Sequence, residues 1–291
     1  MATHNIPRAL TDAVIAGPSK TKRDQAVNLQ QFIQGLFGDG YHTFLQGSYR
    51  NHTAISDLPD VDIVVVRTGT YSGTHSPYAG GRPTIQWEEI FNDIEEKLRN
   101  QRTYTWDMER KEKCVMLKGS LDADVIPAVK YHHDHLADPI VIRSFTTVES
   151  PSYPRTHINN GEAKNTATNA NYKPTVRMFK RWADNHFGDS DVVSSHKIES
   201  LVHATTNDNF FEDPALSFLW VGSKILERLV EAYPNGVPSV CGTENILDTW
   251  DSSNRLTFSG QLGRSFASVL VAYKSSTSTE AERLWRAGFN M

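Results

Sequence analysis

With 291 residues, 38% of them hydrophobic and 22% charged, the chain has the make-up of a globular protein of one large domain or two of ordinary size. It has no apolar run of about 18 residues to span a bilayer, and "MATHNIPRALTDAV" lacks the basic-then-apolar order of a signal peptide, so the expectation is a cytoplasmic protein without a membrane partner. A net charge of −4 argues against a protein whose main task is to coat nucleic acid, and Cys114 and Cys241 are too few for a disulfide framework.

In chain order, residues 11 to 37 carry helical periodicity through Val14, Ile15, Ala26, Leu29, Ile33 and Leu36, with a break expected at Gly17-Pro18. "YHTFLQ" and "DIVVVR" read as strands, and the Gly/Ser/Thr-rich residues 67 to 84 read as a mobile loop. "IQWEEIFNDIEEKLRN" has helical spacing, and "KCVMLKG" and "LDADVIPAVKY" are further strands. Residues 144 to 171, rich in Pro, Gly and Asn, read as a hinge or domain boundary. Beyond them "KPTVRMFKRWADNHF" and "PALSFLWVGSKILERLVEAY" are helical, each with Pro near its start. The pattern predicts an α+β protein whose first domain, 1–150, mixes strands and helices and whose second, 151–291, is helical.

Chemistry concentrates in "LQGSYRNHTAISDLPDVDIVVV". Alternation along a strand puts Asp60 and Asp62 on one face, about 6 to 7 Å apart, with Val61 and Ile63 on the other. Two like charges at the head of an apolar strand are unfavourable unless a cation lies between them, and Mg²⁺ takes carboxylate and phosphate oxygens together. Gly47 can adopt backbone angles closed to other residues, letting N–H groups and the Ser48 hydroxyl turn toward an anion; a helix opening at "SYRNHTA" would add a favourable field. A two-metal site needs a third carboxylate from a neighbouring strand. Asp122 and Asp124 in "LDADVIPA" share a face, so periodicity does not choose between them. Lys173, Arg177, Lys180 and Arg181 fall on one helix face, and the His-rich "YHHDHLAD" reads as a polar loop.

"GSYRNHTAI…DVDIVVV" followed by "DADVIPA" resembles the nucleotidyltransferase core of the DNA polymerase β superfamily and, within it, the cGAS/DncV-like nucleotidyltransferases. The resemblance implies a polymerase β-like nucleotidyltransferase palm, a helical C-terminal domain like that of oligoadenylate synthase, and substrates lying between them. Carried over, Asp60, Asp62 and Asp124 are the catalytic metal ligands for two Mg²⁺ ions, with Mn²⁺ as a substitute, and Asp122 is the runner-up. Gln46, Gly47 and Ser48 bind the triphosphate. Lys180 matches a lysine placed against the nucleotide phosphates, and Ser195 and Glu199 in "VVSSHKIESLV" match a family segment in which the serine helps hold the triphosphate, His196 standing where an aromatic is common. "ILDTWDSSNRL" is similar to a late D-P-x-D-x-x-N-N element, with Asp248 and Asn254 in register and Thr249 in place of the proline. The "NNGEAKNTATNANYKP" tract offers Asn165, Asn169 and Asn171 for reading a base edge, Asn169 being the residue chosen.

The activity implied is Mg²⁺-dependent joining of NTPs into a cyclic di- or trinucleotide messenger in antiphage signalling. A downstream effector would recognise the product, a regulatory protein is a further partner, and nucleic acid is not obligatory. The alternatives are a nucleotidyltransferase that makes linear oligonucleotides or modifies tRNA or protein, and a nucleotide-binding module without catalysis.

Overall fold

The computed structural model describes residues 4–55, 60–71, 87–130, 138–143, 149–230 and 236–291. It divides into two compact units, Pro18–Asn159 and Met1–Gly17 with Asn160–Met291. The break expected at Gly17-Pro18 is present: α1 spans Arg8–Ile15, and α2, Lys20–Phe37, starts afresh with Ser19 as its N-cap, the Ser19 hydroxyl accepting from the Lys22 N–H at 3.2 Å. Proline at 18 cannot continue a helix, so one periodic stretch becomes two elements. They go to different units: α1 packs in the helical unit, whereas the sequence reading had placed the N-terminal helix with the palm.

The first unit is built on a sheet with the order β1-β2-β5-β4-β3, in which β6 also pairs with β5, and β7 with β6. In chain order the elements are β1 (Tyr41–Leu45), α3 (Gly47–Asn51), β2 (Asp60–Tyr71), α4 (Trp87–Asn100), β3 (Asp107–Arg110), β4 (Val115–Lys118), β5 (Asp122–Lys130), β6 (Ile140–Arg143) and β7 (Glu149–Ser152). β2 and β5 run parallel; the other pairs are antiparallel. A parallel pair needs a long crossover, and α4, β3 and β4 supply it.

Strand alternation separates the two faces of this sheet. Val61, Ile63, Val65, Ala123 and Val125 face α2 and α4, whose Leu29, Ile33, Ile90 and Ile94 complete the main palm core. The other face carries the smaller cluster of Val64, Val66, Ala128 and Ile140. Asp60, Asp62, Asp122 and Asp124 continue this second face at the strand starts. β2 runs through Tyr71, into the stretch expected to be a loop; the rest of that loop, like most of the His cluster, lies outside the described residues.

The second unit holds α6 (Tyr172–Phe187), α7 (Ser195–Ala204), α8 (Pro214–Val230), α9 (Ser252–Lys274) and α10 (Ser278–Phe289), with most of α5 (Pro154–Ala167). Its core is aromatic: Phe179 stacks on Phe218 with centroids 5.0 Å apart, and Trp182 meets Phe258 edge-on at 5.3 Å. Half of the tract expected to be a hinge is α5, its Asn and Gly content overridden by packing; Gly161 is buried near the Tyr172 ring.

Candidate active site

Four carboxylates meet at the heads of β2 and β5. The parallel register sets Asp60 opposite Asp122 and Asp62 opposite Asp124, partners in such a pair being about 4.8 Å apart between strands. Asp122 already accepts a hydrogen bond from the Gly119 N–H at 3.0 Å. That contact ties it to the β4–β5 turn. Partial burial first, then the charges of Asp124 and Asp122, hold the Asp60 carboxyl above the usual carboxylate range, although the residue as a whole is exposed.

Cys114, to which the sequence reading gave no chemistry, lies 8% exposed beside this cluster. Burial, the charge of Asp124 and the thiol's hydrogen bond to that carboxylate push the Cys114 thiol up to about 12. Pairing of β4 with β5 brings them together, with Met116 opposite Asp124.

The Gly-Ser turn closes against the same cluster. Gln46 N–H donates to the Asp62 carbonyl at 2.9 Å, tying the end of β1 to β2, and the Ser48 carbonyl accepts from Thr53 and Ala54. Gly47 has φ +66°, and a Cβ there would stand 2.1 Å from Asp62 Oδ2. Only glycine lets the carboxylate lie against the backbone. The helix expected at "SYRNHTA" is the five-residue α3, too short for a sizeable dipole. Gly47→Ala is therefore expected to displace the Asp62 carboxylate and lower any activity that depends on it by about a hundredfold, the cost of misplacing a reacting group by about 1 Å. A Gly47→Ala enzyme within threefold of wild type would show the close approach to be dispensable.

Farther along the carboxylate face, a cavity of about 550 Å³ is lined by His42, Phe44, Val66, Lys130, Ile140 and Arg155 among others. It combines an apolar floor with cationic side chains, Arg155 pairing with Asp138 at 2.9 Å.

The remaining expected site residues lie in the helical unit. Lys180 is 4% exposed, and its Nζ pairs with Glu199 at 2.9 Å. Its neighbours on the expected basic face are also engaged within this unit: Lys173 with Glu162 at 2.6 Å, Arg177 with the Ile15 carbonyl at 2.6 Å. Ser195 is exposed in the first turn of α7, whose N-cap is Ser194, and His196 pairs with Glu244 at 2.9 Å. Asn169 is exposed in the α5–α6 turn with φ 51°, while Asn165 Oδ1 accepts from the Lys173 N–H at 3.1 Å. Asp248 accepts from Asn245 at 2.7 Å, and Asn254 donates to the Asp191 carbonyl at 3.0 Å.

The donor set fits a hard divalent cation. Its side chains are carboxylates in register on two strands, they repel one another as they stand, and glycine keeps the approach open. Among the described residues no three His, Cys, Asp or Glu side chains form a ligand cluster.

Aspartates paired at the heads of parallel strands are the arrangement that the resemblance to nucleotidyltransferases leads one to expect. Residues 159–261 match the cGAS/DncV-like nucleotidyltransferase C-terminal helical domain. The chain is 33% identical over 200 residues to the cyclic dipurine nucleotide synthase of Elizabethkingia meningoseptica, the match covering 61% of this chain and 68% of that one. It is 28% identical over 185 residues to the cyclic UMP-AMP synthase of Rhodothermus marinus, covering 57% and 64%. Among solved structures, the Elizabethkingia meningoseptica CdnE cyclic dinucleotide synthase with GTP and Apcpp superposes with a TM-score of 0.71 at 26% identity, covering 88% of this chain and 97% of that one. The chain belongs to the cGAS/DncV-like nucleotidyltransferases. Enzymes of this class generally work with divalent metal ions, and among the described residues no helix is long and apolar enough to cross a membrane.

Proposed function

We propose that this protein joins ribonucleoside triphosphates into a cyclic di- or trinucleotide and releases pyrophosphate. The observation that carries the reading is the parallel β2–β5 register, which aligns Asp62 with Asp124 beside the Gly47 turn. Asp60, Asp62 and Asp124 would hold magnesium, two ions or manganese in their place. When bound there, magnesium would supply a lowered pKa for the attacking ribose hydroxyl and charge neutralisation for the leaving pyrophosphate.

The chain's own groups do the positioning. Gln46, Gly47 and Ser48 would cradle the triphosphate, and Ser195 would offer a hydroxyl from the helical unit. Lys180, buried against Glu199, is better suited to holding α6 to α7 than to meeting phosphate. The cavity on the carboxylate face is within the range of nucleotide pockets, and its cations suit an anionic ligand. Asn169 sits in an exposed turn where a base edge could reach it. The product would act on a downstream effector in antiphage signalling, and a regulatory protein would control the enzyme.

Incubating the protein with each labelled NTP and with all four, plus Mg²⁺, and resolving phosphatase-resistant products tests the reading. Resistant products that need Mg²⁺ are expected, because a closed ring has no terminal phosphate. Linear products alone, or labelling of an added RNA or protein, would replace it. Replacing Asn169 with Ser and measuring the base ratio of the product tests that residue's part; an unchanged ratio would make it a turn residue only.

A further inference from the structure

The proposed reaction brings two ribonucleoside triphosphates to the aspartates, and each carries its own row of negative charge. In the bond-forming step the acceptor hydroxyl oxygen attacks the donor α-phosphorus, the α–β bridging bond breaks, pyrophosphate leaves and the hydroxyl proton passes to solvent. The donor phosphates therefore lie at the reaction centre, where the Gly47 turn closes on Asp62. The acceptor phosphates need another place, because a second polyphosphate on the same carboxylates would set like charge against like charge.

The cavity of about 550 Å³ on the carboxylate face supplies that place. Val66 follows Asp62 by four residues on β2, with His42 of β1 opposite, and Lys130 follows Asp124 by six residues on β5, with Ile140 of β6 opposite. All four share the aspartate face, and at about 3.3 Å per residue Lys130 stands about 20 Å along β5 from Asp124. Arg50 lines the same cavity from α3, three residues after Gly47. Among the described lining residues the charged side chains are Arg50, Lys130, Arg155 and Asp138, three cations against one carboxylate. Asp138 is engaged with Arg155 at 2.9 Å, so the positive excess falls to Arg50 and Lys130. A cation as far from the reaction centre as Lys130 has no donor phosphate to meet. The remaining phosphates of the reaction are the acceptor's.

We propose that this cavity receives the acceptor nucleotide and that Lys130 meets its 5′-triphosphate, which makes Lys130 a specificity-determining residue of the joining reaction. The inference rests on the reading of the strand-head aspartates as the reaction centre. An ammonium is a compact point charge with three donors on a flexible stem, so it senses phosphate without regard to the base. Lys130 thus selects the phosphorylation state of the acceptor and leaves the choice of base to other contacts. The apolar floor of Phe44, Val66 and Ile140 is left for the uncharged part of the ligand.

The test separates donor from acceptor by chemistry. A 2′,3′-dideoxy-NTP can donate but has no hydroxyl with which to accept, and an α,β-methylene NTP can accept but has no cleavable α–β bridge. The unphosphorylated nucleoside accepts without offering any phosphate. Linear product from the full chain, Mg²⁺ and labelled dideoxy-NTP is measured with either acceptor for wild type, Lys130→Gln and Lys130→Glu. Lys130→Gln should raise the KM for the methylene acceptor about tenfold, the size of one charge-assisted hydrogen bond, and Lys130→Glu should raise it further. The KM for the nucleoside acceptor and for the dideoxy donor should stay within twofold. Because Lys130 is exposed, both variants should melt at the wild-type temperature. A KM for the methylene acceptor within twofold of wild type in both variants overturns the proposal, as does an equal rise for the nucleoside. A rise confined to the dideoxy donor assigns Lys130 to donor binding and overturns it as well. No pyrophosphate from wild type with the natural NTPs and Mg²⁺ would instead sink the nucleotidyltransferase reading, and this proposal with it.

Discussion

Asp124→Asn and Asp62→Asn are each expected to lower product formation by about a thousandfold or more, with the fold intact. The magnitude follows from losing several kcal/mol of metal-borne charge stabilisation at about 1.4 kcal/mol per decade of rate. Asp122→Asn should be mild, because an amide oxygen can still accept from the Gly119 N–H. Pyrophosphate release at saturating NTP and Mg²⁺ measures all three. Asp60 adds a stability readout. A carboxyl whose folded pKa is raised helps the folded state only below its unfolded pKa and loses that contribution as pH climbs through the folded one. Asp60→Asn should therefore raise the melting temperature of metal-free protein at neutral pH and have little effect in acid. Full activity in Asp124→Asn with a crippled Asp122→Asn would mean that the catalytic carboxylate is the one at the β4–β5 turn.

Lys180→Met is expected to destabilise the protein by about 3 to 5 kcal/mol, because it breaks a buried ion pair by removing one partner where both residues are almost fully buried. That is a large share of the roughly 5 to 15 kcal/mol that holds a domain together. Adding Glu199→Leu should recover most of the loss, since replacing both members of a buried ion pair by apolar groups is close to neutral. Urea denaturation of the full chain reads both. If Lys180 instead meets nucleotide phosphate, Lys180→Met should keep wild-type stability and raise the KM for NTP. Tyr172 offers a second view of the pair: it is buried beside Glu199, and burial and that carboxylate hold its phenol well above the usual range.

The shared face of the strand-head aspartates and the Gly-Ser turn were legible because their signals are short-range. Alternation put Asp60 and Asp62 on one face, and positive φ at Gly47 is what a tight turn asks of glycine. The cross-strand partners of Asp122 and Asp124 were not, because they depend on which strand β5 pairs with and on what the Gly119 amide does. The Cys114–Asp124 contact was hidden for the same reason: it crosses from β4 to β5. The basic residues of α6 read alike whether they face solvent, phosphate or another helix, and only packing shows Lys173 and Lys180 turned inward. Residues 154 to 167 misled in the opposite direction. Gly161 and the surrounding Asn are poor helix formers, yet α5 forms, with Gly161 buried where even a Cβ would meet the Tyr172 ring at ordinary contact distance.

The parallel pairing of β2 with β5 also bears on how the enzyme comes into being. Asp62 and Asp124 become neighbours only after α4, β3 and β4 have been made and the crossover has closed. Such a long-range contact repays its loop-closure entropy late, and topologies that depend on such contacts fold slowly. While the chain is still emerging, the Gly-Ser turn and the first two aspartates exist without their counterpart. The paired arrangement thus forms late, and a truncated or stalled product carries Asp60 and Asp62 without the aspartates that face them.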